Sequence, residues 1–235
     1  MTSIVDLDAI IQKNGASREH ERLEVDVHQD ARFGADLIYK EAGGFELWLG
    51  SLEDALNLGA LRQHNINAIL NCALEESRGE AACRQSGGGG GRRIRSHARG
   101  PSAMKSSDCG GDLDRDQVWA LASFDAEWYS IMVREDVAYL GFAAQDEPGY
   151  AMDSHIPDTL AFLAQCREEG RRVLVHCIMG INRSSMALVS FLCANLEMKL
   201  EDAVDLTSRK RGFILSNVSF LEQLARSYGA RETTI

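Results

Sequence analysis

Residues 171–197, RRVLVHCIMGINRSSMALVSFLCANLE, read as three pieces: an apolar run of strand length, a tight turn holding Gly180, and an apolar helix. A buried strand that feeds directly into a helix is the unit of an α/β layer fold. The same alternation recurs along the chain. FELWLG (45–50) has strand spacing, and LEDALNLGALRQHN (52–65) has helix spacing with Ser51 as N-cap and Asp54 at the capping-box distance. INAILNCA (66–73) is again a short buried strand, and VAYLGFAA (137–144) another. One helix is expected over WALASFDAEWYSIMV (119–133) and one over residues 152–170, with Gly170 ending it. Two more are expected over residues 200–211 and 217–229. The expected fold class is α/β, a central mostly parallel sheet flanked by helices.

The 235 residues suffice for one domain with appendages. The segment 1–36 is polar and mixed, with one short amphipathic helix expected at residues 3–13 (Ile4, Leu7, Ile10 and Ile11 on one face). A catalytic domain is expected over 37–228, and 229–235 read as a tail. Residues 77–116 carry the glycine tract 87–91 and no apolar period, so they read as a loop or insertion. From Arg78 to Lys105 there are seven basic residues against Glu80, a local +6 in a chain of formal charge −10. This insert is a candidate contact for an acidic partner, and RRIRS suits a basic-directed kinase at Ser96.

The acidic balance argues against nucleic acid as a whole-surface partner. No apolar run approaches the length of a membrane span, and the start lacks a signal-peptide core. A cytoplasmic, or nuclear, location is expected. The six cysteines contain no C-x-x-C pair, so neither a disulfide framework nor a zinc site is expected, and no cofactor.

Cys177 stands at the end of a buried strand, with a helix starting about seven residues later. Backbone N–H groups of the turn and the helix N-terminus favour an anion there, and they favour the thiolate. Gly180 lets the backbone turn without a clashing Cβ. Arg183 offers a planar fork for two phosphate oxygens. A thiolate facing such a cradle points to phosphoryl transfer to sulfur. Ser184 can donate to the sulfur, and His176 can fix the loop through its ring nitrogens. Asp146, in AAQDEPG at the end of the preceding strand, is the candidate acid and base, with Glu147 and Asp153 as substitutes.

The string H-C-x-x-G-x-x-R-S at residues 176–184 resembles the signature of the cysteine-dependent protein phosphatases, and the spacing to Asp146 is similar to the dual-specificity branch. The likeness extends over about 37–76 and 128–228. It implies a protein-tyrosine-phosphatase-like fold and hydrolysis of phosphotyrosine and phosphoserine or phosphothreonine on protein substrates, without metal. By resemblance, Cys177 is the nucleophile, Asp146 the acid and base, Arg183 the phosphate clamp and Ser184 the thiolate partner. The loop His176, Ile178, Met179, Gly180, Ile181 and Asn182 binds substrate beside Arg183, and Asn217 supports the site as a helix cap. Cys72 falls near where some relatives keep a cysteine that pairs reversibly with the nucleophile, which makes it the candidate redox partner.

Two positions depart from the branch. Asn182 stands where Ser is usual, as in the RNA 5′-triphosphatase relatives, and Ser216 replaces a proline before Asn217. Those triphosphatases follow the arginine with Thr-Gly and lack the aspartate, whereas this chain has Ser184-Ser185 and Asp146. Phosphoinositide phosphatases carry lysine beside the cysteine, and here residues 178–182 hold no positive charge. A non-catalytic phosphate-binding scaffold is the remaining alternative. Oligomeric state and cognate substrate are not legible.

Overall fold

The computed structural model describes residues 3–24, 33–86 and 115–229. The glycine tract, the basic cluster with Ser96, and the last six residues lie outside the described residues.

Among the described residues, five short strands form one mixed sheet: β1 (Asp36–Lys40), β2 (Glu46–Gly50), β3 (Ala68–Asn71), β4 (Ala138–Gly141) and β5 (Arg172–His176). Their spatial order is β1-β2-β5-β3-β4; β1 is an antiparallel edge and the other four run parallel. Side chains of successive residues leave opposite faces, so each inner strand feeds two cores. Leu47, Leu49, Ala68, Leu70, Val173 and Val175 enter one, and Ile69 and Leu174 enter the other. The expected mostly parallel sheet is therefore observed, and the strand β1 that sequence patterning missed is an edge strand with only Ile38 buried.

The first core is covered by α1 (Ile4–Glu24), α7 (Ile156–Glu168), α8 (Arg183–Asn195), α9 (Leu200–Arg211) and α10 (Val218–Tyr228). The second lies under α2 (Leu52–Ala55), α3 (Leu58–Gln63), α5 (Arg115–Leu121) and α6 (Ala126–Met132). Helix α1 is longer than the expected 3–13, and its Leu7 and Ile11 are fully buried. Asn14 ties it to α9, donating to Asp205 Oδ1 at 3.1 Å and Ser208 Oγ at 2.7 Å.

Three expectations need correction. The helix over 52–65 breaks at Leu56 and restarts where the Asn57 side chain accepts from Ala60 N. The helix over 119–133 is also two, because Phe124 takes positive φ and Asp125 caps α6. In both, a cap inside a continuing apolar period ended the helix. Residues 74–86, partly assigned to the insertion loop, form helix α4 (Leu74–Ser86). Its polar sequence hid it. Ala81 is buried in the second core with Val118 and Trp119 of α5, which is what holds it.

Register places the site. Gly50 and Asn71 both pair with His176 on the central strand β5, so Ser51, Cys72 and Cys177 leave the sheet side by side at its carboxyl edge. Ligands of parallel sheets sit at this edge.

Candidate active site

Residues 177–182 make a tight loop between β5 and α8, and every carbonyl from 178 to 181 is held by the surrounding scaffold. Ile178 O accepts from Leu52 N at 3.0 Å, and Ile181 O from Leu215 N at 2.9 Å. Met179 O and Gly180 O accept from Arg211, at 3.1 and 3.3 Å. In a trans peptide the following N–H points opposite to the carbonyl, so the amides of this loop turn inward. Gly180 N shows the result, donating to Cys177 Sγ at 3.2 Å. Gly180 has φ +72°, and a Cβ there would lie 2.5 Å from Gly50 O, so both conformation and space demand glycine.

Cys177 is buried, and its sulfur also accepts from Ser184 Oγ at 3.3 Å. Helix α8 starts at Arg183 and directs the positive end of its dipole into the same loop. The site thus presents a sulfur with two donors on it, at the floor of an amide-lined cup. Negative charge is favoured on a ligand above it.

Arg183 is 3% exposed. Its Nη1 donates to Glu76 Oε1 at 2.8 Å and to Ala144 O at 2.9 Å, while Nη2 donates to Glu76 Oε2 at 3.1 Å. Its Nε is buried with no partner among the described residues. Burial works against the charge, but the hydrogen bonds and charge of Glu76, with Cys177 and Asp146 adding to them, hold its pKa above the ordinary arginine value. The guanidinium is therefore permanently charged, fixed on one side, and short of one acceptor.

His176 lies inside the core rather than on the cup. Its Nδ1 donates to the Cys177 carbonyl at 3.2 Å, and Nε2 has no partner among the described residues. A carbonyl only accepts, which assigns the proton to Nδ1. Burial pushes its pKa down to about 4, so the ring is neutral near pH 7. One ring nitrogen, not both, serves the loop. Of the other loop positions, Met179 is exposed, Ile178, Ile181 and Asn182 are half-buried, and Gly180 is buried.

Asp146 follows β4 on an exposed segment and reaches the loop. Its Oδ2 accepts from Asn182 Nδ2 at 3.0 Å and its Oδ1 from Asn217 Nδ2 at 3.1 Å. Neither substitute acid has such contacts with the loop in the hydrogen bonds described: Asp153 binds Gln223 through its backbone, and Glu147 meets Asn217 through its carbonyl. Asn217 also caps α10, accepting from Ser219 N and Oγ, so cap and site contact coexist in one side chain. Cys72 is fully buried as a free thiol, one strand from Cys177, and burial pushes its pKa well up.

Sequence reading missed Glu76 and Arg211. Glu76 sits in a polar stretch with nothing to distinguish it from its neighbour Glu75. Arg211 looks like a helix-terminal cation, yet it donates to Gly34 O and Asp36 Oδ2 as well as to the loop.

Residues 121–229 match the family model for the dual specificity phosphatase catalytic domain. The chain is similar to human dual specificity protein phosphatase 22, at 31% identity over 90 residues, which are 38% of this chain and 49% of that protein. It is similar also to a probable rhodanese domain-containing dual specificity protein phosphatase of Dictyostelium discoideum, at 34% over 79 residues, 34% of this chain and 17% of that one. The chain thus spans half or less of the length of these relatives. A crystal structure of a mouse putative dual specificity phosphatase complexed with zinc tungstate shares the fold, with TM-score 0.55 and 16% identity over 88% of this chain and 93% of that one. Human DUSP28 does too, with TM-score 0.53 and 15% identity over 84% and 94%.

Proposed function

We propose that this chain, whose residues 121–229 match the family model for the dual specificity phosphatase catalytic domain, hydrolyses phosphate monoesters on proteins through a phosphocysteine at Cys177. The observation that carries this reading is the outward anchoring of the four loop carbonyls, which leaves inward amides around a sulfur that already accepts from Gly180 N and Ser184 Oγ.

In the first step Cys177 Sγ attacks phosphorus; the S–P bond forms as the P–O bond to the side chain breaks. The loop amides and Arg183 take the equatorial oxygens, where charge accumulates. The unpartnered Nε of Arg183 gains its acceptor there. Asp146 hands its proton to the departing phenol or alcohol. In the second step Asp146 accepts a proton from water, water oxygen bonds to phosphorus, and sulfur leaves as thiolate, stabilised by the Ser184 hydroxyl. Inorganic phosphate departs.

Phosphotyrosine and phosphoserine or phosphothreonine of cytoplasmic or nuclear proteins are the proposed substrates. The triphosphatase alternative is weakened by the placement of Asp146 on the loop, a group those relatives do without. The phosphoinositide alternative is weakened because residues 178–182 bring no cation and Arg211 is engaged by carbonyls and Asp36. The test is phosphate release by reduced protein from p-nitrophenyl phosphate and from phosphopeptides, in EDTA. Turnover is expected with both, and Asp146→Asn is expected to lower phosphopeptide turnover, whose leaving group needs the proton, by about 10²-fold. Folded, reduced protein that releases nothing would overturn the phosphatase reading in favour of the scaffold.

We also propose Cys72 as the resolving thiol. Peroxide would convert Cys177 to the sulfenic acid, and Cys72 sulfur would attack it, forming the disulfide and releasing water. Its support is the register that sets the two cysteines side by side. Mass spectrometry after mild peroxide should find the 72–177 linkage; Cys177 oxidised beyond sulfenic acid with Cys72 still free would sink the idea.

A further inference from the structure

The two positions at which the loop and its neighbourhood depart from the branch, Asn182 and Ser216, touch each other. Ser216 Oγ donates to Asn182 Oδ1 at 3.2 Å, and Asn217 N donates to the same oxygen at 3.1 Å. A backbone N–H can only donate, so Oδ1 must face it, and the Asn182 amide is pinned in one orientation. Its Nδ2 then faces Asp146, as the 3.0 Å contact records. Asn217 is oriented by the same logic. Its Oδ1 accepts from Ser219 N, which turns its Nδ2 to Asp146 Oδ1 and Glu147 O.

From this we infer that Asn182 is a positioning residue: with Asn217 it latches the acid-bearing segment 142–150 over the phosphate loop before substrate arrives. The inference rests on Asp146 being the acid of the reaction proposed above. The latch joins three elements that share no chain continuity: the segment after β4, the turn before α8, and the turn before α10. The base of the segment is held separately. Ala73 and Ala143 form an isolated bridge, and Tyr150 hydrogen-bonds His155 Nε2 and receives Gln223 on its carbonyl. Ala144 O also accepts from Arg183 Nη1, so the backbone is anchored before Asp146; the Asp146 side chain is exposed, and its two oxygens are oriented by the two amides. A serine at 182 has too short a side chain to accept from α10 and donate to Asp146 at once. Asparagine carries both functions on one rigid plane. An acid fixed in place lowers the entropic cost of proton transfer to the leaving group.

The test uses Asn182→Ala and Asn182→Asp in the full chain. The aspartate variant keeps the acceptor for Ser216 and Asn217 but has no donor for Asp146, so it separates the latch from simple support of the loop. Amide hydrogen exchange over residues 142–150 of ligand-free protein should speed up in both variants. In turnover, the ratio of kcat/KM for p-nitrophenyl phosphate to that for phenyl phosphate should rise about tenfold, because kcat/KM reports the P–O cleavage step and only the more basic phenolate depends strongly on the acid there. Wild-type exchange in both variants overturns the latch. An aspartate variant that exchanges like wild type, or a leaving-group ratio that does not move, overturns the positioning role. If wild-type protein hydrolyses neither ester, the phosphatase reading fails by itself, and the exchange result still decides the latch.

Discussion

With Cys177 replaced by serine, phosphate release from p-nitrophenyl phosphate should fall by about 10⁴-fold or more. Serine is smaller and its hydroxyl stays protonated at neutral pH, so the step that forms the bond to phosphorus loses its nucleophile. The cup should survive. Gly180 N and Ser184 Oγ can donate to the new Oγ, and the loop carbonyls are anchored by Leu52, Arg211 and Leu215 independently of the sulfur. Substrate should therefore still bind, with little change in thermal midpoint. Phosphopeptide binding by the inactive variant, alongside the kinetics, checks both halves. Retention of wild-type turnover would mean that the nucleophile lies elsewhere.

Arg183→Lys should cost about 10³-fold in kcat/KM, the scale of an arginine lost from a phosphoryl-transfer site. The charge is kept, so the loss isolates geometry. Arg183 serves Glu76 through two nitrogens and Ala144 O through one of them, and its Nε has no partner among the described residues. An ammonium on a flexible stem cannot satisfy both sides. The pair with Glu76 is buried on the arginine side and half-exposed on the other, so some stability will go with it. Tungstate or phosphate binding by the variant separates the two effects. A folded variant that binds neither anion supports the clamp, and one that binds and turns over like wild type refutes it.

Much of the site was legible because its parts are contiguous. Cys177, Gly180, Arg183 and Ser184 fall within one strand–turn–helix passage, where local backbone geometry alone dictates that they meet. Asp146 was readable at one remove, since a residue just past a parallel strand must arrive at the same sheet edge as Cys177. Glu76 and Arg211 were not readable. They stand 107 residues from Arg183 and 31 from Gly180, and charged residues on helices are usually solvated surface. His176 was assigned by adjacency to the loop, but strand alternation turned its ring into the core.

The same division holds for the fold and for the latch. Period-two and helical patterning by themselves determined the α/β class, the mostly parallel sheet and the position of Cys177 at its carboxyl edge, because these follow from burying each element's apolar face. Helix breaks at Asn57 and Asp125, and the polar helix α4, depended on caps and packing that periodicity does not register. Asn182 and Ser216 were visible in the sequence only as two separate departures. Tertiary structure alone decided that they meet and that their shared amide grips Asp146, because hydrogen bonds between remote turns depend on where the sheet and helices set those turns in space.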